Sequence, residues 1–134
     1  MCGIFGNFNF SLSKISKIKL EKLAETIRHR GPDAVGIETD KRASIGNVRL
    51  SIIDLSSASN QPIISKDNHI VLAQNGEIYN YIELRDELRK EGFSFETEGD
   101  TEILLKAYQA WGVNFIEKVN GMFAIAIHDR TKDI

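Results

Sequence analysis

The sequence predicts an α+β fold in which helices are layered on sheets, and three observations lead there. Ile45 to Ile53 alternates with a period of two, placing Val48, Leu50 and Ile52 on one side and Asn47, Arg49 and Ser51 on the other, as a half-buried strand does. Ile103, Leu104, Ala107, Tyr108 and Trp111 recur at helical spacing. The strand-like and helix-like stretches follow one another without the regular alternation of a doubly wound sheet, which favours mixed layers of helix on sheet.

The elements follow in order. Ile4 to Phe10 is apolar and aromatic with short polar breaks, and reads as a strand. Ile15, Ile18, Leu23, Ala24 and Ile27 fit one stripe of an amphipathic helix, which Gly31-Pro32 stops. The strand 45–53 comes next, then a short loop-like patch from Ser56 to Pro62. Ile70 to Gln74 is a short apolar strand that ends at Asn75-Gly76. A second helix starts near Asn80, where Glu83 three places on completes a capping-box pattern; Tyr81, Leu84 and Leu88 form its stripe and Gly92 ends it. A third helix follows Asp100, a plausible N-cap, and stops at Gly112. Phe123 to Ile127 is the last strand, and the chain ends soon after it at Ile134, which suggests a domain completed by further sequence.

Composition narrows the function classes. The 134 residues fit one domain, with 42% hydrophobic and 27% charged residues, enough for a packed core. Seventeen basic residues against nineteen acidic ones leave a formal charge of −2, without the basic excess that a nucleic-acid binder needs for phosphates. No apolar run approaches the ~18 residues of a membrane helix, and the first residues lack the pattern of a signal peptide. One cysteine allows no intrachain disulfide and favours a reducing, cytoplasmic setting. His29, His69 and His128 show no metal-ligand spacing, so no metal site is expected.

Four places carry candidate chemistry, each beside a plainer reading. A lone cysteine is usually a small buried hydrophobe, but Cys2 stands where removal of Met1 leaves a thiol and a free α-amine on one carbon. The amine, with a reference pKa of ~7.7–8.0, could take the proton of a thiol whose reference value is ~8.5. Asn75-Gly76 after a strand is first a turn signal, yet an amide and a glycine N–H side by side can donate to one oxygen as an oxyanion hole does. Arg49 is either a solvated sheet residue or a forked donor for a carboxylate. Asp100 caps a helix, holds an ammonium, or does both. His29, in Arg28-His29-Arg30-Gly31-Pro32-Asp33, fits a structural role beside a turn better than that of a base.

Taken together, Met1-Cys2-Gly3-Ile4-Phe5-Gly6, Arg28 to Asp33, Arg49-Leu50-Ser51-Ile52-Ile53-Asp54, Asn75-Gly76-Glu77-Ile78-Tyr79-Asn80 and Gly121-Met122-Phe123-Ala124 come in the order found in class II glutamine amidotransferases. Within that group the chain resembles the glutaminase domain of glutamine-hydrolysing asparagine synthetases. The resemblance implies a four-layer αββα sandwich of the N-terminal-nucleophile hydrolase type. It implies Cys2 as nucleophile with its own α-amine as base, and Asn75 with the Gly76 N–H as oxyanion hole. Arg49 would hold the glutamine carboxylate, Asp100 with Glu77 the amine, and Leu50, Ser51, Ile52 and Ile53 would line the pocket. The implied reaction frees ammonia from the glutamine side chain through a glutamyl thioester.

The pattern departs from the family in three ways. Many relatives carry histidine two places before the arginine of Arg-Leu-Ser, where this chain has Asn47. The family's glutaminase domain continues into further strands beyond residue 134, so residues 1–134 are expected to be its N-terminal part. The synthetase domain, and with it any site for ATP and magnesium, is absent, so no cofactor is expected in this chain. The expected partners are glutamine, a synthetase domain or subunit that receives ammonia, and a second copy in a homodimer. Two other readings remain: a glutamine-binding remnant without turnover, and a glutaminase module serving another ammonia acceptor.

Overall fold

The computed structural model describes residues 2–9 and 15–134. Two three-stranded antiparallel sheets lie face to face. The first takes β1 (Gly3–Phe8), β2 (Ala34–Thr39) and β3 (Ala43–Arg49) in the order β1-β3-β2. The second takes β4 (Ile63–Ile64), β5 (Ile70–Ile78) and β6 (Gly121–Asp129) in the order β4-β5-β6. Helix α1 (Lys17–Ile27) packs outside the first sheet, while α2 (Tyr81–Lys90) and α3 (Asp100–Trp111) pack outside the second. The result is the αββα layering that the family resemblance implied.

Side-chain alternation produces the layers. Ile45 on β3 meets Val71 and Ala73 on β5, with Ile4 and Ala126 beside them, and these fill the space between the sheets. The intervening positions of β5, Ile70 and Leu72, point outward to Leu84, Leu88, Ile103 and Leu104. Leu72, Leu88, Ile103 and Leu104 are completely buried, each contributing roughly 1.5–3 kcal/mol by burial. On the first sheet Leu20 and Ala24 of α1 are buried. A Cβ placed on Gly3 would lie 2.9 Å from Ile27 Cδ1 and 3.0 Å from Val48 Cγ2, which shows how closely α1 lies on β1 and β3.

Several expected elements differ. The first strand spans Gly3–Phe8; Phe10, its expected end, lies outside the described residues, as does Met1. In α1 the buried residues are Leu20 and Ala24, with Ile27 half-buried beside them; Ile18 and Leu23 are exposed. Strand β3 stops at Arg49 rather than Ile53, because the Ser51 N–H turns away to the Asp33 carboxylate at 2.7 Å and the chain bends around the Arg49 side chain. Strands β2 and β4 were not foreseen. Asn75-Gly76 is not a turn: β5 runs through it, pairing Asn75 with Ala124 and Gly76 with Phe123. Gly76 makes this possible by a φ of +136° inside the strand, and a Cβ there would lie 2.0 Å from Met122 O.

The two expected caps also differ. Asn80 precedes α2 but gives it no side-chain cap. Its amide instead donates to Lys118 O and accepts the Asn120 N–H, both at 2.9 Å, joining α2 to the entry of β6. Asp100 is the first residue of α3, with Gly99 at the cap position, and its carboxylate faces back toward β5. Gly92 and Gly112 follow α2 and α3 with φ of +93° and +59°, the left-handed backbone that ends helices.

Candidate functional site

Cys2 sits just before β1, at the end where β3 finishes. Its Sγ accepts the Leu50 N–H at 3.3 Å and lies 3.5 Å from Leu50 O. The segment Arg28 to Asp33 fastens this corner. Arg30 Nε donates to Cys2 O at 3.1 Å. Gly31 passes so near β3 that a Cβ would stand 2.3 Å from Val48 O. Asp33 donates its N–H to Arg49 O at 3.0 Å and accepts the Ser51 N–H. His29 lies in the same 3-10 turn and is not on the wall of the cleft described next.

One cleft opens beside Cys2. Its wall includes Cys2, Arg49, Leu50, Ile52, Ile53 and Asp54 on one side, and Gln74, Gly76, Glu77, Gly99, Asp100 and Thr101 on the other. Of the residues singled out from sequence, Ser51 and Asn75 are not on this wall. Ser51 is turned by the Asp33 bond. Asn75, on the other face of β5 from Gln74, has its Oδ1 buried without a hydrogen-bond partner.

Arg49 is almost wholly buried. Its Nη1 donates to Ser56 O and Asn60 Oδ1, both at 2.8 Å, and its Nη2 donates to Asp54 O. All three acceptors are neutral oxygens, so they hold the guanidinium in place without cancelling its charge. The loop that supplies them is itself tied down. Asp54 accepts the Ser56 N–H at 2.7 Å and the Glu98 N–H at 3.0 Å, and the Ser56 bonds hold its carboxyl well below the usual carboxylate range.

The opposite wall rests on Asp100. Its Oδ2 accepts the Ile78 N–H at 3.0 Å and Gln74 Nε2 at 2.7 Å, so β5 fixes the start of α3. Glu77 stands nearby. Burial pushes its carboxyl up, and the charge of Asp100 pushes it further in the same direction. Behind the cleft, Asn47 Nδ2 donates to Gln74 O at 3.1 Å and to Gln61 Oε1 at 3.3 Å. Gln61 Oε1 also accepts the Gln74 N–H at 2.6 Å, and Gln61 Nε2 reaches Thr101 Oγ1 at 3.1 Å. Asn47 is therefore a buried tie between the two sheets.

Gln61, Gln74 and Thr101 were missed from sequence. Gln61 sat in a patch read as loop, and Thr101, second in α3, drew no reading at all. Gln74 did leave a signal, a long amide inside an otherwise apolar strand that had to find partners if buried. Among the described residues no group of three or more His, Cys, Asp or Glu is placed to hold a metal ion. No helix among them is long and apolar enough to cross a membrane.

With this geometry in place, the comparisons with known proteins converge. A family model described as a glutamine amidotransferase domain matches residues 1–134. Asparagine synthetase B (glutamine-hydrolysing) of Escherichia coli K12 is 40% identical over 134 residues, 99% of this chain and 24% of the relative. Asparagine synthetase 1 (glutamine-hydrolysing) of Bacillus subtilis 168 is 38% identical over 137 aligned residues, covering all of this chain and 22% of the relative. The chain thus spans about a quarter of the length of these relatives. Among solved structures, the glutamine phosphoribosylpyrophosphate amidotransferase of B. subtilis superposes with a TM-score of 0.67 at 22% identity, over 96% of this chain and 35% of the other. That likeness concerns the fold alone, two facing sheets layered between helices. On the strength of the family match over all 134 residues, the chain belongs to the glutamine amidotransferase domain family.

Proposed function

We propose that this chain hydrolyses the side-chain amide of glutamine, with Cys2 as the attacking group once Met1 is removed. The observation that carries the reading is that Cys2, Arg49 and Asp100, far apart in sequence, stand on one cleft. An α-amino acid presents a carboxylate, an ammonium and a side chain. The wall offers a guanidinium held only by neutral oxygens, a pair of carboxylates, and a thiol.

In this reading the α-amine of Cys2 takes the thiol proton and the sulfur attacks the amide carbon. The oxyanion is met by the Gly76 N–H and the Asn75 amide. Of these two donors, Gly76 is on the cleft wall, while Asn75 stands off it with its Oδ1 buried. The proton passes to the leaving nitrogen, ammonia departs, and water hydrolyses the thioester to glutamate. The ammonia goes to a synthetase domain outside this chain. The names of the relatives support asparagine as the product; ATP and magnesium would serve in that domain and not in this cleft. A single free cysteine supports a cytoplasmic setting.

The test is intact-mass analysis after exposure to a diazoketone mimic of glutamine, alongside ammonia release from glutamine. Loss of Met1, one adduct blocked by glutamine, and abolished hydrolysis in Cys2→Ala with binding retained are the expected results. Hydrolysis retained in Cys2→Ala would remove Cys2 from the reaction. The position of Asn75 motivates one other reading, a pocket that binds glutamine without turnover. Glutamine-blocked binding with no ammonia release from a Met1-free chain would favour it.

A further inference from the structure

Gln74 is 1% exposed, yet it belongs to the wall of the cleft. Its Nε2 donates to Asp100 Oδ2 at 2.7 Å and to Gly76 O at 3.3 Å. Its Oε1 is buried and has no hydrogen-bond partner. The amide cannot be reversed, because that would set its oxygen against two other oxygens. The backbone cannot shift it either, since Gln61 and Asn47 hold the Gln74 N–H and carbonyl at 2.6 and 3.1 Å. An orphaned carbonyl oxygen in such a fixed position costs stability unless a ligand supplies a donor.

An α-ammonium has three N–H donors and no acceptor. Asp100 and Glu77 supply acceptors for two. We propose that Gln74 Oε1 takes the third, making Gln74 a specificity-determining residue for substrates with a free, unsubstituted α-ammonium. The inference rests on the amino-acid-binding reading of this cleft and adds a residue to it. A neutral oxygen also suits the place better than a third carboxylate, since Asp100 and Glu77 already repel one another.

The test measures binding to the Cys2→Ala chain by calorimetry, using glutamine, its deamino analogue glutaramate, and N-methylglutamine. Glutamine is expected to bind at least about tenfold more tightly than either analogue, the scale of one hydrogen bond to a charged group. Gln74→Met in the same background should weaken glutamine by about tenfold and leave glutaramate unchanged. In an Asp100→Asn background, Gln74→Met should still reduce the preference for glutamine over glutaramate. If the reduction vanishes there, Gln74 acts only by placing Asp100 and the contact is overturned. N-Methylglutamine binding as well as glutamine would overturn it without any substitution at Gln74, and so remains decisive if Gln74→Met does not fold. Failure of the parent to prefer glutamine over glutaramate would instead overturn the amino-acid-binding reading itself.

Discussion

Glu77 shows how one side chain can report on its surroundings. Its carboxyl is raised by burial and by Asp100, so the folded chain holds the Glu77 proton more strongly than the unfolded chain does. Stability therefore falls as pH rises from the ordinary carboxylate value through the raised one. Glu77→Gln is expected to flatten that fall in a series of thermal melts, and Asp100→Asn to shift it to lower pH; an unchanged profile in Asp100→Asn would separate the two carboxylates. The same proton opposes ligand binding, so KM for glutamine should climb as pH drops through the raised value. Gly76 makes a sharper prediction. Its φ of +136° and the Met122 carbonyl in its Cβ direction leave no room for alanine. Gly76→Ala should cost roughly 1–3 kcal/mol in denaturant unfolding and abolish glutamine binding. This residue was legible as a candidate in the sequence, but the reason for it was not. Asn-Gly advertises a turn, and only the pairing with β6 shows that the glycine is there to let two backbones touch.

At the scale of elements, α3 was the easiest to read, since Ile103, Leu104, Ala107 and Tyr108 are all buried as their spacing predicts. Helix α1 was harder because it sits on one sheet face only and its lysine-rich flanks left Leu20 out of the expected stripe. Strand β2 escaped notice because Ala34, Gly36 and Glu38 give almost no apolar alternation. Gly36 is small for a tertiary reason, namely that Gln61 O occupies the Cβ direction at 2.0 Å. Such approaches join residues distant in sequence and leave no local period. The turn from Arg28 to Asp33 belongs to this class. It looked structural, and it is the strap that sets Cys2 against the end of β3. Arg30→Ala removes the donor to Cys2 O and Asp33→Ala the acceptor for Ser51. Each is expected to lower ammonia release by about tenfold or more through misplacement of the thiol, with only about 1 kcal/mol lost in stability. Equal losses of activity in Lys22→Ala, on the far side of α1, would show that the effect is not specific to the strap.

For the molecule as a whole, charge joins the two sheets at the end away from the cleft, where Arg130, just after β6, meets Glu38 of β2 and Asp40, and Arg42 meets Asp133. Beside them, a buried carboxylate ties the end of β6 to α3. Asp129 is buried, and although burial raises its carboxyl, the Thr131 hydroxyl and the Lys132 ammonium outweigh this and hold it well below the ordinary range. Tyr108 of α3 donates to the same carboxylate at 3.1 Å. A carboxyl depressed on folding contributes stability that is complete above its ordinary value and is lost as pH falls. Asp129→Asn should therefore make the acid limb of the melting curve shallower, while stability near neutral pH drops. The four layers were legible from the family resemblance, with the alternation within β3 pointing to helix on sheet. The polar lattice of Asn47, Gln61, Gln74 and Thr101 was not, because amides carry no charge or period that marks whom they meet. The contact between Gly76 and Met122 has a last consequence. A slip of β6 by one residue would replace a carbonyl with a side chain at that point and push the floor of the cleft aside. Ligand binding thus acts as a gauge of ladder register, and titrating refolded material with glutamine would count the correctly paired molecules in a mixture that circular dichroism sees as uniform.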